Sequence, residues 1–287
     1  MFNQIINKYN FNKLVLLLAQ SSLYFSFWLA INQKISWHWW PLLVLWNFAS
    51  LHYHFNLVHL ASHRMLSKNG KLNSFLGNLA AIFGGVTLAD FQTTHSLHHR
   101  NPSDSQKDPD YKITQSNFFI LPFKIWYHDI FFWSRGLWNK QRNWAGYLAD
   151  RVVQILIISA FLFTENFQVW LWLWLLPVFL VGFFNGMFLF YFPHHTTALE
   201  KKWRLELMQS SNNSGIIPKT RFNFIKLILL LIDISRFYHE THHDKVLENT
   251  AYYPLEDYLI KKIRGKPIYF EADYHSKYTD IFKTIHA

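Results

Sequence analysis

Cysteine is absent from this 287-residue chain. Its absence excludes disulfides, thiolate zinc sites, an internal iron–sulfur cluster and a thiolate nucleophile. Charge is scarce as well. Asp, Glu, Lys and Arg make up 16% of the residues, against about a quarter in ordinary soluble domains. Acidic residues are the scarcer sign, 18 against 28 basic, for a net charge of +10. Lys and Arg beside apolar blocks set topology and meet anionic lipid, so no nucleic-acid partner is expected.

What the chain has instead is apolar surface: 51% hydrophobic and 19% aromatic residues, gathered into blocks at 14–31, 39–58, 152–163 and 169–192. Crossing a bilayer takes about 20 mostly apolar residues. The first, second and fourth blocks meet that length; the third spans with tilt or local thinning. The fold class expected is therefore all-α, a polytopic membrane protein of about four helices at 12–31, 38–58, 150–166 and 168–192. A cytoplasmic helical cap would be formed by 59–149 and 193–287, the whole of 1–287 acting as one domain. The first block lacks a small-residue cleavage site and is read as a span rather than a signal peptide.

Loop charges orient the spans. The short turns at 32–36 and 165–167 hold one Lys and one Glu, while nearly all other Lys and Arg lie in the two long segments. The positive-inside rule puts those segments and both termini in the cytoplasm.

Sixteen histidines are present, and most are clustered. His59 and His63 form HLASH at the end of the second block. His95, His98 and His99 form HSLHH; His194 and His195 follow the fourth block in FPHH; His239, His242 and His243 form YHETHH. On a helix, residues at i, i+3 and i+4 share a face, so HxxHH presents three imidazoles together and HxxxH two. The HSLHH helix should stop near Arg100, because Pro102 disfavours a helical Asn101. Neutral imidazole is the commonest metal ligand, and histidine without cysteine suits iron, zinc, copper or nickel. One zinc ion uses about three or four protein ligands, so eight or nine histidines fit two metal ions.

Isolated histidines carry less. His38, His128, His275 and His286 read as ordinary surface or interface residues. His52 and Asn56 share a helical stripe with His59 and His63 and are expected to support the site from behind it. An HExxH zinc protease would need Glu where Leu60 stands. A carboxylate-bridged di-iron bundle would need two ExxH helices, and Glu240 with His243 supplies one.

HxxxH, HxxHH and HxxHH in that order, separated by apolar spans, resemble the integral-membrane fatty acid desaturase and hydroxylase superfamily. Within it, the stretches 63–77 and 94–111, the latter ending in Asp108-Pro109-Asp110, look like the bacterial carotenoid ketolases and hydroxylases, as does Pro193-His194. The first box lacks the Asp that commonly follows its first histidine, and Asp244 to Asn249 replaces the usual Pro- and Trp-containing stretch. The resemblance implies two non-haem irons held by His59, His63, His95, His98, His99, His194, His239, His242 and His243. It implies O2-dependent oxidation of a lipid chain, fatty acyl or carotenoid, in a bacterial-type inner membrane. With no cysteine for a fused redox domain, electrons come from an external donor such as a ferredoxin or rubredoxin. The competing class is a non-enzymatic metal-binding or metal-transport membrane protein.

Overall fold

The computed structural model describes residues 8–102, 104–114, 118–137, 144–163, 165–194, 198–212, 221, 223–229, 231–232, 235 and 239. The described residues are helical, joined by turns, with no strand among them. Contacts divide the chain into two compact units, Met1–His195 and Thr196–Ala287.

In the first unit, α1 (Lys8–Ile31) and α2 (Trp40–Ser62) form an antiparallel pair joined by a tight turn. The turn uses Gln33 at φ 52°, with Gln33 N–H on the Ala30 carbonyl and Lys34 N–H on the Leu29 carbonyl. These bonds satisfy carbonyls that the helix end leaves free. Polar contacts fix the pair's register. Ser26 donates to Asn47 Oδ1 at 2.8 Å, and Ser22 hydrogen-bonds Ser50. Asn47 Nδ2 continues to the Leu173 carbonyl at 2.7 Å on α8 (Phe167–Tyr191). That carbonyl lies in a π-helical stretch, Leu171–Leu175, where the altered winding offers a backbone acceptor to a side chain. Apolar packing of Ala30, Val44, Val169 and Leu173 closes the same junction.

After α2 the chain reverses sharply into α3 (Gly70–Gly84), which packs along α2. The stretch 63–77 supplies the means. Arg64 takes a left-handed φ of 58°, and Met65 N–H bonds the Leu60 carbonyl. Asn69 caps α3 by accepting from Leu72 N–H. Buried Asn73 donates to the Ala61 carbonyl at 2.8 Å and accepts from Leu66 N–H at 3.0 Å. Gly77 allows the closest approach: a Cβ there would lie 2.5 Å from Ala61 Cβ.

Gly85, at φ 72°, ends α3, and α4 (Leu88–Arg100) departs at 98°. The elbow's carbonyls are not left bare: Trp174 Nε1 donates to Phe83 O at 3.0 Å and Gln154 Nε2 to Val86 O at 2.7 Å. Thr87 caps α4 by accepting from Asp90 N–H. The helix ends at Arg100, as the following Asn-Pro predicts. Short helices α5 (Pro109–Thr114) and α6 (Tyr127–Ser134) follow, separated by a 3-10 stretch, Phe118–Trp126, that packs on α8. Then α7 (Trp144–Leu162) packs on α3 and α4. Its Arg151 holds Asp90 of α4 at 3.0 Å and also pairs with Asp129 of α6.

Among the described residues, two helices, Lys13–Ile31 and Phe167–Tyr191, are long and apolar enough to cross a membrane, and the bent pair α3–α4 passes the same test jointly. The cytoplasmic cap expected from the sequence includes that pair; its apolar half, α3, packs along α2. α2 has the length of a span but carries Asn47, His52, His54, Asn56 and His59. Both α2 and α7 nevertheless turn large apolar side chains outward, including Leu42, Leu45 and Trp46 on one and Val152, Ile155 and Leu156 on the other. Apolar surface on that scale is what lipid covers. The chain is an integral membrane protein.

In the second unit, α9 (Ala198–Asn212) carries an i,i+4 ion pair, Arg204 to Glu200 at 3.0 Å. Arg221 reaches Glu206 at 3.4 Å.

Candidate metal centre

The end of α2 and the middle of α4 meet where both carry histidine. His59 lies in the last turn of α2 and His63 caps it; His95 and His99 stand one turn apart on α4. One ligand-type nitrogen from each of the four falls within 4.8 Å of every other. His95 Nε2 is 3.0 Å from both His63 Nε2 and His99 Nε2. The rings stand edge to face, at 72° and 85°, so their nitrogens converge instead of stacking. Phe91 stacks on His95 at 5.2 Å and closes the apolar side.

The donor set fits a metal ion. First-row metal–imidazole bonds of roughly 2.0–2.1 Å put adjacent donors roughly 2.9 Å apart and opposite donors roughly 4.1 Å apart. Two of the nitrogen separations are 3.0 Å, and all lie within 4.8 Å. The ligand form is present too, since burial lowers His63 from 6.5 to about 4 and keeps it neutral at pH 7.

His98 takes a different direction from its two neighbours. It is fully buried, and its Nδ1 donates to Asp108 Oδ1 at 2.9 Å, with Asp110 Oδ2 at 3.4 Å. Ionised carboxylates only accept, so a proton sits on Nδ1. In the neutral ring Nε2 then carries the lone pair, although burial is outweighed by Asp110 and Asp108, which raise the His98 pKa. Asp108 Oδ1 also accepts from Asp110 N–H at 2.8 Å, which locks the Asp-Pro-Asp turn onto the histidine. Asp110 reaches in turn toward His128 Nε2 at 3.4 Å, and His128 Nδ1 meets Thr94 Oγ1 at 2.8 Å. Burial pushes His128 below its ordinary value, and Asp110 offsets this only in part. His128 was grouped by sequence with the isolated surface or interface histidines; it is 4% exposed and belongs to this network. No local spacing marks it, because its partner Asp110 lies in another helix.

The other expected ligands are placed less fully. His194 ends the described part of the fourth apolar block, where its backbone alone is described, and His195 lies outside the described residues. His239 is helical and half-buried in the second unit; His242 and His243 lie outside the described residues. His52 and Asn56 do share one stripe, but they bond each other and Asn185 of α8. His54 donates to the Ser50 carbonyl at 2.8 Å and packs on Phe83, an internal role in the bundle.

These features define a class: an all-helical membrane protein with a buried polyhistidine cluster at the end of a transmembrane-length helix, backed by carboxylates. A family model described as fatty acid desaturase matches residues 36–253, most of the chain, and the protein belongs to that family. No curated protein and no solved structure matches it. Membership makes it an oxidoreductase of the lipid desaturase or hydroxylase type, acting within a membrane.

Proposed function

We propose that the chain is a membrane-bound, non-haem di-iron oxidoreductase that uses O2 to oxidise unactivated C–H bonds of a lipid chain. The observation that carries this is the convergence of His59, His63, His95 and His99, with His98 held apart from them by Asp108. Four imidazoles suffice for one iron. His98, His194, His239, His242 and His243 would hold a second. Iron bound there supplies O2 activation and removal of hydrogen from carbon, the step no side chain of this protein could perform. The protein's part is to keep His63 and His95 neutral by burial, fix the tautomer of His98 through Asp108, and exclude water with Phe91 and the bundle behind it. Four spans, with both termini and the site on the cytoplasmic side of a bacterial-type inner membrane, follow from the loop charges. The basic surface on that side suits a small acidic electron donor such as a ferredoxin or rubredoxin. The substrate is a fatty acyl chain or a carotenoid, oxidised to an alcohol, a ketone or an alkene.

The test combines metal analysis with product analysis. Purified protein should hold about two irons per chain, and expression in hosts making acyl lipids or β-carotene should yield an oxidised product detectable by mass spectrometry. His95→Ala and His99→Ala should each abolish turnover and lower iron content, while His275→Ala and His286→Ala should do neither. Full activity in His99→Ala would refute the proposal. One zinc or copper per chain from an iron-replete host would favour a metal-binding or transport protein.

A further inference from the structure

Three polar side chains sit inside the bundle without serving the histidine cluster. Asn56 Nδ2 donates to His52 Nε2 at 3.0 Å, and His52 Nδ1 donates to Asn185 Oδ1 at 2.9 Å. The amide orientations of Asn56 and Asn185 set the direction of this relay. A ring nitrogen that accepts from Asn56 carries no proton, so the neutral imidazole holds its proton on Nδ1. The relay therefore uses the Asn185 carbonyl and leaves its NH2 group. Asn185 is 1% exposed, and its Nδ2 has no hydrogen-bond partner among the described residues. Burying an amide donor without a partner is costly, and an orphan of this kind calls for an acceptor.

Asn185 lines a narrow cleft between α2, the 3-10 stretch and α8. Its walls are Phe55, Ile113, Leu121 and Phe190, with Gly182 and Gly186 thinning the α8 side; His128 is the other polar member. A Cβ at Gly186 would come within 3.1 Å of Leu121 Cβ, so the glycine keeps this wall open. The winding of α8 changes to π at Gly186, directly after Asn185, and such turns recur at functional sites. The cleft also lies near the cluster: its wall residue Phe55 contacts Phe91 at 5.5 Å, and Phe91 stacks on His95.

We propose that the oxygen-bearing end of the substrate enters this cleft and that Asn185 donates a hydrogen bond to that oxygen. The inference rests on the lipid-oxidation reading above. The ligand it selects is an apolar chain or ring system bearing a hydroxyl or carbonyl oxygen, in preference to a plain hydrocarbon. Asn185 determines specificity, and His52 and Asn56 are positioning residues that hold its amide.

Equilibrium binding of radiolabelled octadecan-1-ol and octadecane to the full-length protein in detergent tests this, in wild type, Asn185→Leu, Asn185→Ala and Leu121→Trp. The alcohol-to-alkane affinity ratio of each variant is divided by that of wild type, which cancels the two probes' different partitioning into micelles. Both Asn185 variants should lower the ratio about five- to tenfold, the equivalent of one net hydrogen bond. Leu121→Trp should lower the same ratio by filling the space the oxygen takes. An unchanged ratio in an Asn185 variant with wild-type iron content overturns the proposal, as does an unchanged ratio in Leu121→Trp. If the Asn185-dependent preference holds while iron-loaded protein with an electron donor oxidises no lipid, the cleft's selectivity stands and the lipid-oxidation reading falls.

Discussion

Replacing Asp108 with Asn tests how the second half of the site is organised. The change is nearly isosteric, and the Asn carbonyl can still accept from Asp110 N–H as Asp108 Oδ1 does at 2.8 Å. What is lost is charge on the acceptor facing His98 Nδ1 at 2.9 Å. A hydrogen bond to a charged partner contributes about 1.5–3 kcal/mol and a neutral one about 0.5–1.5, so the difference is about 1–2 kcal/mol. A flipped amide would do more harm. It would turn an N–H toward Nδ1, drive the proton to Nε2 and remove the lone pair that makes His98 a ligand. Substitution of a ligand's hydrogen-bond partner typically costs about 10–100-fold in metal affinity. Asp110, still 3.4 Å from Nδ1, compensates in part, which places the expected loss near 10–30-fold. The assay is anaerobic chelator-competition titration of iron(II) into metal-free protein, alongside turnover. Asp104→Asn serves as control, because Asp104 caps the Gln106 and Lys107 amides and touches no histidine. Affinity within about twofold of wild type in Asp108→Asn, or an equal loss in Asp104→Asn, would refute the reasoning.

Other consequences concern stability. Gly77→Ala places a Cβ 2.5 Å from Ala61 Cβ and 2.8 Å from Leu88 Cδ2; overpacking of this kind costs about 1–3 kcal/mol, and detergent-solubilised protein should melt at lower temperature. Arg151→Met removes the cation from Asp90, which is 1% exposed. Stranding a buried partner costs about 3–5 kcal/mol, and the partial exposure of Arg151 puts the expected loss at the lower end, read by the same melt; an unchanged melting temperature would show the pair to be dispensable. The metal-free protein should lose stability as pH falls from 6.5 toward about 4, since His63 is lowered to that value when folded and the unfolded chain binds the proton first. A pH titration of the metal-free melting temperature that stays flat across this window would contradict the burial of His63.

Much of the architecture was legible in the chain itself, because its signals are local. Apolar blocks mark α1 and α8, Asn101-Pro102 stops α4 after Arg100, and histidines at i and i+4 put His95 and His99 on one face. The same periodicity grouped His98 with them. It lies 100° around the helix from His99, and only the fold decides what each edge of that arc meets. One edge meets α2 with His59 and His63; the other meets the Asp-Pro-Asp turn. The bent α3 escaped notice because its apolar stretch is shorter than a span, and burial along α2 depends on a Gly77–Ala61 contact between helices. His128 and Asn185 carry no sequence signal, since their partners lie 34 and 133 residues away in the chain. Helical spacing reveals which side chains share a face. Which buried polar atom meets a partner, and which is left facing a cleft, depends on contacts between helices distant in sequence, and those exist only once the chain has packed.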